Sequence, residues 1–321
     1  MLQIFIVTFP FFALVLAGYV AARRGMLPLA AIAGLNGFVL YFALPCMLFR
    51  FGANTPIAQL LDGAVFGVYL LCALIMVGFA VAVMLSQRTG WNDAAFSALV
   101  AAFPNSGFMG IPLLVALFGQ KAAGPAIITI TIDLVLTSSL CIALSRLDAG
   151  QGGAKQAAKN ALKGVASNPM PWAILSGALA SWLSLQLPAP VMQTLGLLAD
   201  SASPVALFTI GAVLARSQIL ATQGHAPAVP VMDYVPAALM KLLLHPLLVL
   251  LVGSAARAAG VPIDPFALMV IVLVAALPSA SNVSLLAEKF EANNGRIARI
   301  ILVSTVLAFF SFAGAVKLLT Q

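Results

Sequence analysis

The segment "PNSGFMGIP", residues 104 to 112, stands inside an otherwise apolar stretch from Ala94 to Phe118. Pro104 withholds a backbone N–H and disfavours helical geometry at Phe103, while Gly107 permits dihedrals closed to other residues. Asn105 and Ser106 then offer side-chain oxygens to the free N–H groups of a half-helix beginning near Phe108. A second segment has the same grammar, with Pro278 followed by Ser279, Ser281 and Asn282 in "AALPSASNVS". Two half-helix N-termini, each carrying about half a positive charge, suit an anion and a carboxylate in particular.

Two ionisable residues fall within apolar runs, Asp133 in "TITIDLVLTS" and Lys241 in "AALMKLLLHP". Each costs about 3 kcal/mol or more when unpaired at the centre of a membrane helix, so both need partners or water. We expect the two to form an intramembrane pair. Asp133 then either takes up a proton or cation and couples its gradient to substrate, or serves as half of a static ion pair. His245 stands four residues beyond Lys241 on the same helical face and either relays a proton or satisfies a simple hydrogen bond.

These residues need elements that belong in lipid. The chain is 62% hydrophobic and 8% charged with a mean hydropathy of +1.09, far from the roughly one-quarter charged residues of a soluble domain. At about 20 apolar residues per span, ten spans are predicted at about 2–22, 33–51, 63–86, 94–118, 124–145, 169–187, 191–215, 233–256, 265–287 and 297–319. The class is an all-α polytopic membrane protein. Cys46, Cys72 and Cys141 all fall inside spans, so neither a disulfide framework nor a CxxC metal pattern is available. No cofactor and no metal are expected.

Lys and Arg set the orientation. With the N-terminus outside, eleven fall on the inner side, Arg50, Lys121, Arg257 and Lys317 on the outer side, and Lys241 within a span, which accounts for all 16. A multi-pass protein of the bacterial inner membrane is expected, with both termini extracytoplasmic. The net charge of +7 is a retention signal and not a nucleic-acid patch.

The hydrophilic segment 147–168 reads as a cytoplasmic linker that divides ten spans into halves at 1–146 and 169–321. The halves resemble each other: "ALPCMLF" at 43–49 matches "ASPVALF" at 202–208, and "AAFPNSG" at 101–107 matches "AALPSAS" at 275–281. The offsets are 159 and 174 residues, and the longer loop "SQILATQGHAPAVPVMD" in the second half accounts for the difference. Five spans per half place the copies upside down to each other, a signature of secondary transporters whose interrupted helices meet near mid-membrane.

Three motifs carry a resemblance to a known family. "FPNSGFMGIPLL" at 103–114, "KLLLHPLL" at 241–248 and "AALPSASNVSLLAEKF" at 275–290 resemble the fourth-, eighth- and ninth-span motifs of the auxin efflux carrier family, which includes plant carriers and bacterial malonate and malate permeases. The resemblance implies a bile-acid-symporter-like fold, with a scaffold domain of spans 1, 2, 6 and 7 and a mobile transport domain of spans 3–5 and 8–10. It also implies that Asn105 contacts a substrate carboxylate and that Pro278 marks the second crossing. "SASN" after Pro278 departs from the plant "QGIV", so side-chain contacts carry over less directly there.

The expected function is therefore elevator-type transport of a small organic anion, such as malonate, malate or an auxin-like acid. Binding falls to Pro104, Asn105, Ser106, Gly107, Pro278, Ser279, Ser281 and Asn282, and coupling to Asp133, Lys241 and His245 with H+ or Na+. A cation exchanger of related architecture is the alternative, although such an exchanger places acidic residues beside its crossing. An intramembrane protease is disfavoured because neither HExxH nor GxGD occurs. Small residues in "GLNG" at 34–37 and "SGALAS" at 176–181 permit a homodimer through the scaffold.

Overall fold

The computed structural model describes residues 2–54, 61–85, 89–147, 169–185, 187–222 and 230–320. The expected linker, from residue 148 onward, lies outside them. Among the described residues the main helices are, in order, α1 Leu2–Arg23, α2 Ala31–Asn54, α3 Gly63–Met84, α4 Trp91–Ala102, α5 Ser106–Phe118 and α6 Gln120–Leu144, then α7 Pro169–Trp182, α8 Ala189–Thr222, α9 Val235–Ala258, α10 Pro265–Ala275, α11 Asn282–Lys289 and α12 Asn294–Leu319. Six of them, α2, α3, α6, α8, α9 and α12, are long and apolar enough to cross a bilayer. Pairing among the described residues includes no regular β-strand, and the chain is a polytopic helical membrane protein.

Several boundaries differ from the sequence expectation. The seventh apolar run continues to Thr222 instead of stopping near 215, in one continuous α8 that carries Pro204 inside it. The sixth ends at Trp182, where the chain turns and Ser184 adopts a φ of 50°. The fourth and ninth are each two helices, α4 with α5 and α10 with α11. Helix geometry resumes at Ser106, as a wide π-turn over Ser106–Gly110, and not at Phe108.

Further π-turns interrupt α2 at Val39–Ala43, α6 at Asp133–Thr137 and α9 at Met240–Leu244. Two of them have a proline cause. Pro45 has no N–H for the carbonyl of Tyr41, and Pro246 none for that of Leu242, so the ladder widens just ahead of each ring. In α6 the hydroxyl of Ser138 donates to the Asp133 carbonyl at 2.7 Å, a side-chain bond inserted into the ladder.

The chain forms two compact units. The first holds Met1–Asp62, Gly107–Ile128 and Asn168–His225. Within it α1 packs on α8 and α2 on α7 at backbone distance, through glycines. A methyl group on Gly18 would overlap the Phe208 carbonyl, and one on Gly211 the Val15 carbonyl. Likewise a methyl on Gly52 would meet the Ile174 carbonyl at 2.9 Å, and one on Gly177 would overlap that of Phe49. Gly18 and Gly177 are 159 residues apart, as are Gly52 and Gly211, and as are Pro45 and Pro204. Arg50 and Asp200 add an ion pair at 2.8 Å, linking α2 to α8.

The second unit holds Gly63–Ser106, Thr129–Ser167 and Ala226–Gln321. One end of this bundle is fastened by a polar cluster around Arg296, whose side chain is 7% exposed. Its guanidinium lies 3.6 Å from Asp93 and 3.3 Å from Asp233, while Asp93 also accepts the Asn293 amide at 2.8 Å. The Asn293 side chain caps α12 by accepting the Arg296 amide at 3.0 Å. The starts of α4 and α12 and the turn before α9 are thus tied to one cation.

Candidate functional site

Helix α4 ends at Phe103, whose backbone is extended at φ −91° and ψ 107° because Pro104 follows. At the other break, α10 ends at Ala275 and the chain is extended around Pro278. The two extended pieces pair. Asn105 N–H donates to the Pro278 carbonyl at 2.8 Å, and Ala280 N–H donates to the Phe103 carbonyl at 2.9 Å, an antiparallel bridge with Pro104 opposite Ser279. Residues nearly 175 apart thereby satisfy groups that each broken helix would leave orphaned.

Side chains do less capping here than the sequence suggested. The hydroxyl of Ser106 leans back to the Pro104 carbonyl at 3.4 Å, and helix Ile111–Phe118 has no side-chain cap. Backbone pairing has taken over that task, which leaves the Ser279 hydroxyl uncommitted. Asn105 is 4% exposed and Ser279 1%, and the Ser279 hydroxyl is buried without a hydrogen-bond partner among the described residues. A buried polar group in this state costs free energy until something bonds to it. Ser106 and Gly107 are buried as well, while Ser281 and Asn282 at the start of α11 are partly exposed. The Ser279 amide donates to the Ser304 hydroxyl of α12 at 3.2 Å.

A second polar cluster lies in the same unit. Asp133 is fully buried and accepts from the Tyr69 hydroxyl at 3.0 Å and the Thr137 hydroxyl at 3.1 Å. Lys241, also fully buried, donates to the Ala275 carbonyl at 2.5 Å and approaches His245 Nδ1 at 3.3 Å. The Tyr69 and His245 rings lie 5.9 Å apart. Asp133 and Lys241 attract each other through their charges but do not form the expected direct ion pair. Each charge has found a nearer polar partner instead, a pair of hydroxyls for the carboxylate and a helix-terminal carbonyl for the ammonium.

Residues 3–316 match the profile of a family described as "Membrane transport protein". The chain belongs to the auxin efflux carrier family. It is a membrane transporter and not an enzyme. A Rhizobium meliloti protein named "Putative malonate transporter" is 30% identical over 97% of this chain and 94% of its own length. "Uncharacterized transporter YfdV" of Escherichia coli K12 is 27% identical over 88% of this chain and 87% of its own. An "Uncharacterized transporter" of Methanothermobacter thermautotrophicus is 26% identical over 93% and 92%.

In this auxin efflux carrier relative the structure draws the predicted residues into two groups, Pro104 to Ser106 beside Pro278 and Ser279, and Lys241 beside His245 with Asp133 near by. Sequence reasoning missed Tyr69, Thr137 and Ser304, which supply the hydroxyls that hold Asp133 and the second break. Tyr69 carried a usable signal, since a tyrosine in the middle of an apolar span needs a partner for its hydroxyl. It also missed Ser203, whose hydroxyl donates at 3.0 Å to the Phe108 carbonyl that Pro112 deprives of its helical donor.

Proposed function

We propose that this protein carries a small organic anion across the membrane, with its carboxylate held by the Asn105 side chain, Ser106 and the half-helix N-termini that follow the two prolines. The observation that carries the reading is the reciprocal backbone pairing of Phe103–Asn105 with Pro278–Ala280, beside which the buried Ser279 hydroxyl has no partner among the described residues. Uncharged donors and helix N-termini favour a carboxylate over a cation. A cation exchanger would need acidic ligands at the break, which has none in "PNSG" or "PSASN". The name of the Rhizobium meliloti relative makes malonate the first substrate to test, with malate and auxin-like acids next.

The architecture in this reading is ten spans in two inverted repeats, 1–146 and 169–321, operating as an elevator in which spans 3–5 and 8–10 carry the substrate past spans 1, 2, 6 and 7. Support comes from the single offset of 159 residues that relates both glycine contacts and the Pro45 and Pro204 motifs. Two copies of one packing arrangement, α1 on α8 and α2 on α7, are what an inverted repeat produces. Asp133 binds the coupling H+ or Na+, with His245 and Lys241 beside it. Both termini face outward from the bacterial inner membrane, by the distribution of Lys and Arg. A homodimer would use α2, where Gly34 and Gly37 have open space around them, whereas Gly177 of "SGALAS" is occupied within the chain.

The test is uptake of radiolabelled malonate and malate into liposomes holding the purified protein, with and without a pH gradient, beside Asn105→Ala. Flux by the wild type that the variant loses supports a carboxylate carrier with its site at the break. Flux retained in full by the variant moves the site elsewhere. Cation flux without organic-anion flux would replace this reading with the exchanger.

A further inference from the structure

We propose that Lys241 is a positioning residue for the substrate site: its ammonium holds the end of α10 and thereby fixes the register in which the two proline-bearing segments pair. This rests on the proposed function only in assigning the break as the substrate site. The structural part stands by itself.

The argument begins with one carbonyl. In an uninterrupted helix the Ser279 amide would donate to the carbonyl of Ala275. Pro278 turns the chain out of the helix, and that amide donates to Ser304 instead, at 3.2 Å. The neighbouring carbonyls of Val272 and Val274 are satisfied locally, by Ala276 and Leu277. Ala275 is left with an orphan acceptor at the negative end of a helix, in a fully buried setting. The Lys241 ammonium fills that vacancy at 2.5 Å.

The lysine is placed for this by its own helix. Pro246 widens α9 into the π-turn Met240–Leu244, and within this turn Lys241 approaches His245 Nδ1 at 3.3 Å while reaching α10. From Ala275 only two residues intervene before Pro278, whose carbonyl receives the Asn105 amide. Loss of the ammonium would leave the last turn of α10 free to fray, and the displacement would pass through Pro278 to Asn105. A donor at position 241 therefore sets where the Asn105 carboxamide stands without touching the substrate.

Hydrogen exchange read by mass spectrometry on the purified protein in detergent, comparing wild type, Lys241→Met and Lys241→Gln, tests this directly. The methionine replaces the unbranched apolar stem of the lysine but donates nothing. We expect amides of 103–106 and 276–281 to exchange about tenfold faster in Lys241→Met, as the loss of one charged hydrogen bond implies, with α3 unchanged. Lys241→Gln, which keeps an N–H donor, should fall between. In liposomes the methionine variant should raise KM for malonate about tenfold with little change in maximal rate. Unchanged exchange at both breaks, or a rise spread equally over α3 and α12, would overturn the proposal. If the wild type moves no organic anion, the substrate assignment fails, while the exchange comparison still decides the role of Lys241.

Discussion

The amide of Asn105 donates to the carbonyl of Pro278 at 2.8 Å, joining two helix breaks that lie far apart in sequence. Because this bond is made by the backbone, the Asn105 side chain can be removed without removing the bond. Asn105→Ala is therefore a clean probe of the carboxamide. It should fold like the wild type and lose about 10- to 100-fold in apparent affinity for the transported anion, the value of one hydrogen bond to a charged group. Substrate-induced thermal stabilisation and initial uptake rates both report it, and equal affinity in the two proteins would remove Asn105 from the site.

Tyr69 and Thr137 donate to different oxygens of Asp133, so Asp133→Asn keeps an acceptor for one of the two hydroxyls, presents an NH2 to the other, and cannot titrate. Uptake by this variant should continue while losing any acceleration by an inward proton gradient. The measurement is initial uptake with the liposome interior alkaline against uptake at equal pH. An acceleration preserved in the variant would place coupling on another group.

The paired glycines should behave as a matched set. Gly18→Ala, Gly211→Ala and Gly177→Ala each force a methyl against a backbone carbonyl, so each should cost about 1 to 3 kcal/mol, the usual penalty of overpacking. Gly196→Ala has nothing within 4 Å and should be neutral or stabilising by up to about 1 kcal/mol. Thermal unfolding in detergent separates the two outcomes.

Arg296→Leu leaves Asp93 and Asp233 without their shared cation in a largely buried cluster. Breaking a fully buried pair from one side costs about 3 to 5 kcal/mol, and with Asp93 28% and Asp233 35% exposed the cost here should be nearer to roughly 1 to 2 kcal/mol. A lower midpoint of thermal unfolding is expected, and Asp93→Asn combined with Asp233→Asn in the same chain should recover part of it. Absence of any shift for Arg296→Leu would show the cluster to be well hydrated.

Much of the site was legible in the sequence because proline acts on its own neighbourhood. Pro104 and Pro278 are each followed closely by Ser together with Gly or Asn, so the two breaks could be read directly with their polar residues, whereas Pro204, followed by the apolar "VALF", is carried inside α8. Capping was misread for a related reason. Asn105 and Ser106 are good caps in isolation, but an available carbonyl across the gap competes for the freed backbone groups and wins.

Hydropathy and the placement of prolines determined by themselves that this chain crosses a membrane many times and that two helices are interrupted, and the resemblance of three motifs pointed to its family. These are local properties, set by each residue's transfer free energy and backbone freedom. Tertiary structure alone decided partners: that Pro104 stands opposite Ser279, that Lys241 serves the carbonyl of Ala275 and not Asp133, and that Asp133 rests on Tyr69 and Thr137. A buried charge takes whichever polar group the packed helices bring within hydrogen-bonding distance, and that distance exists only after packing.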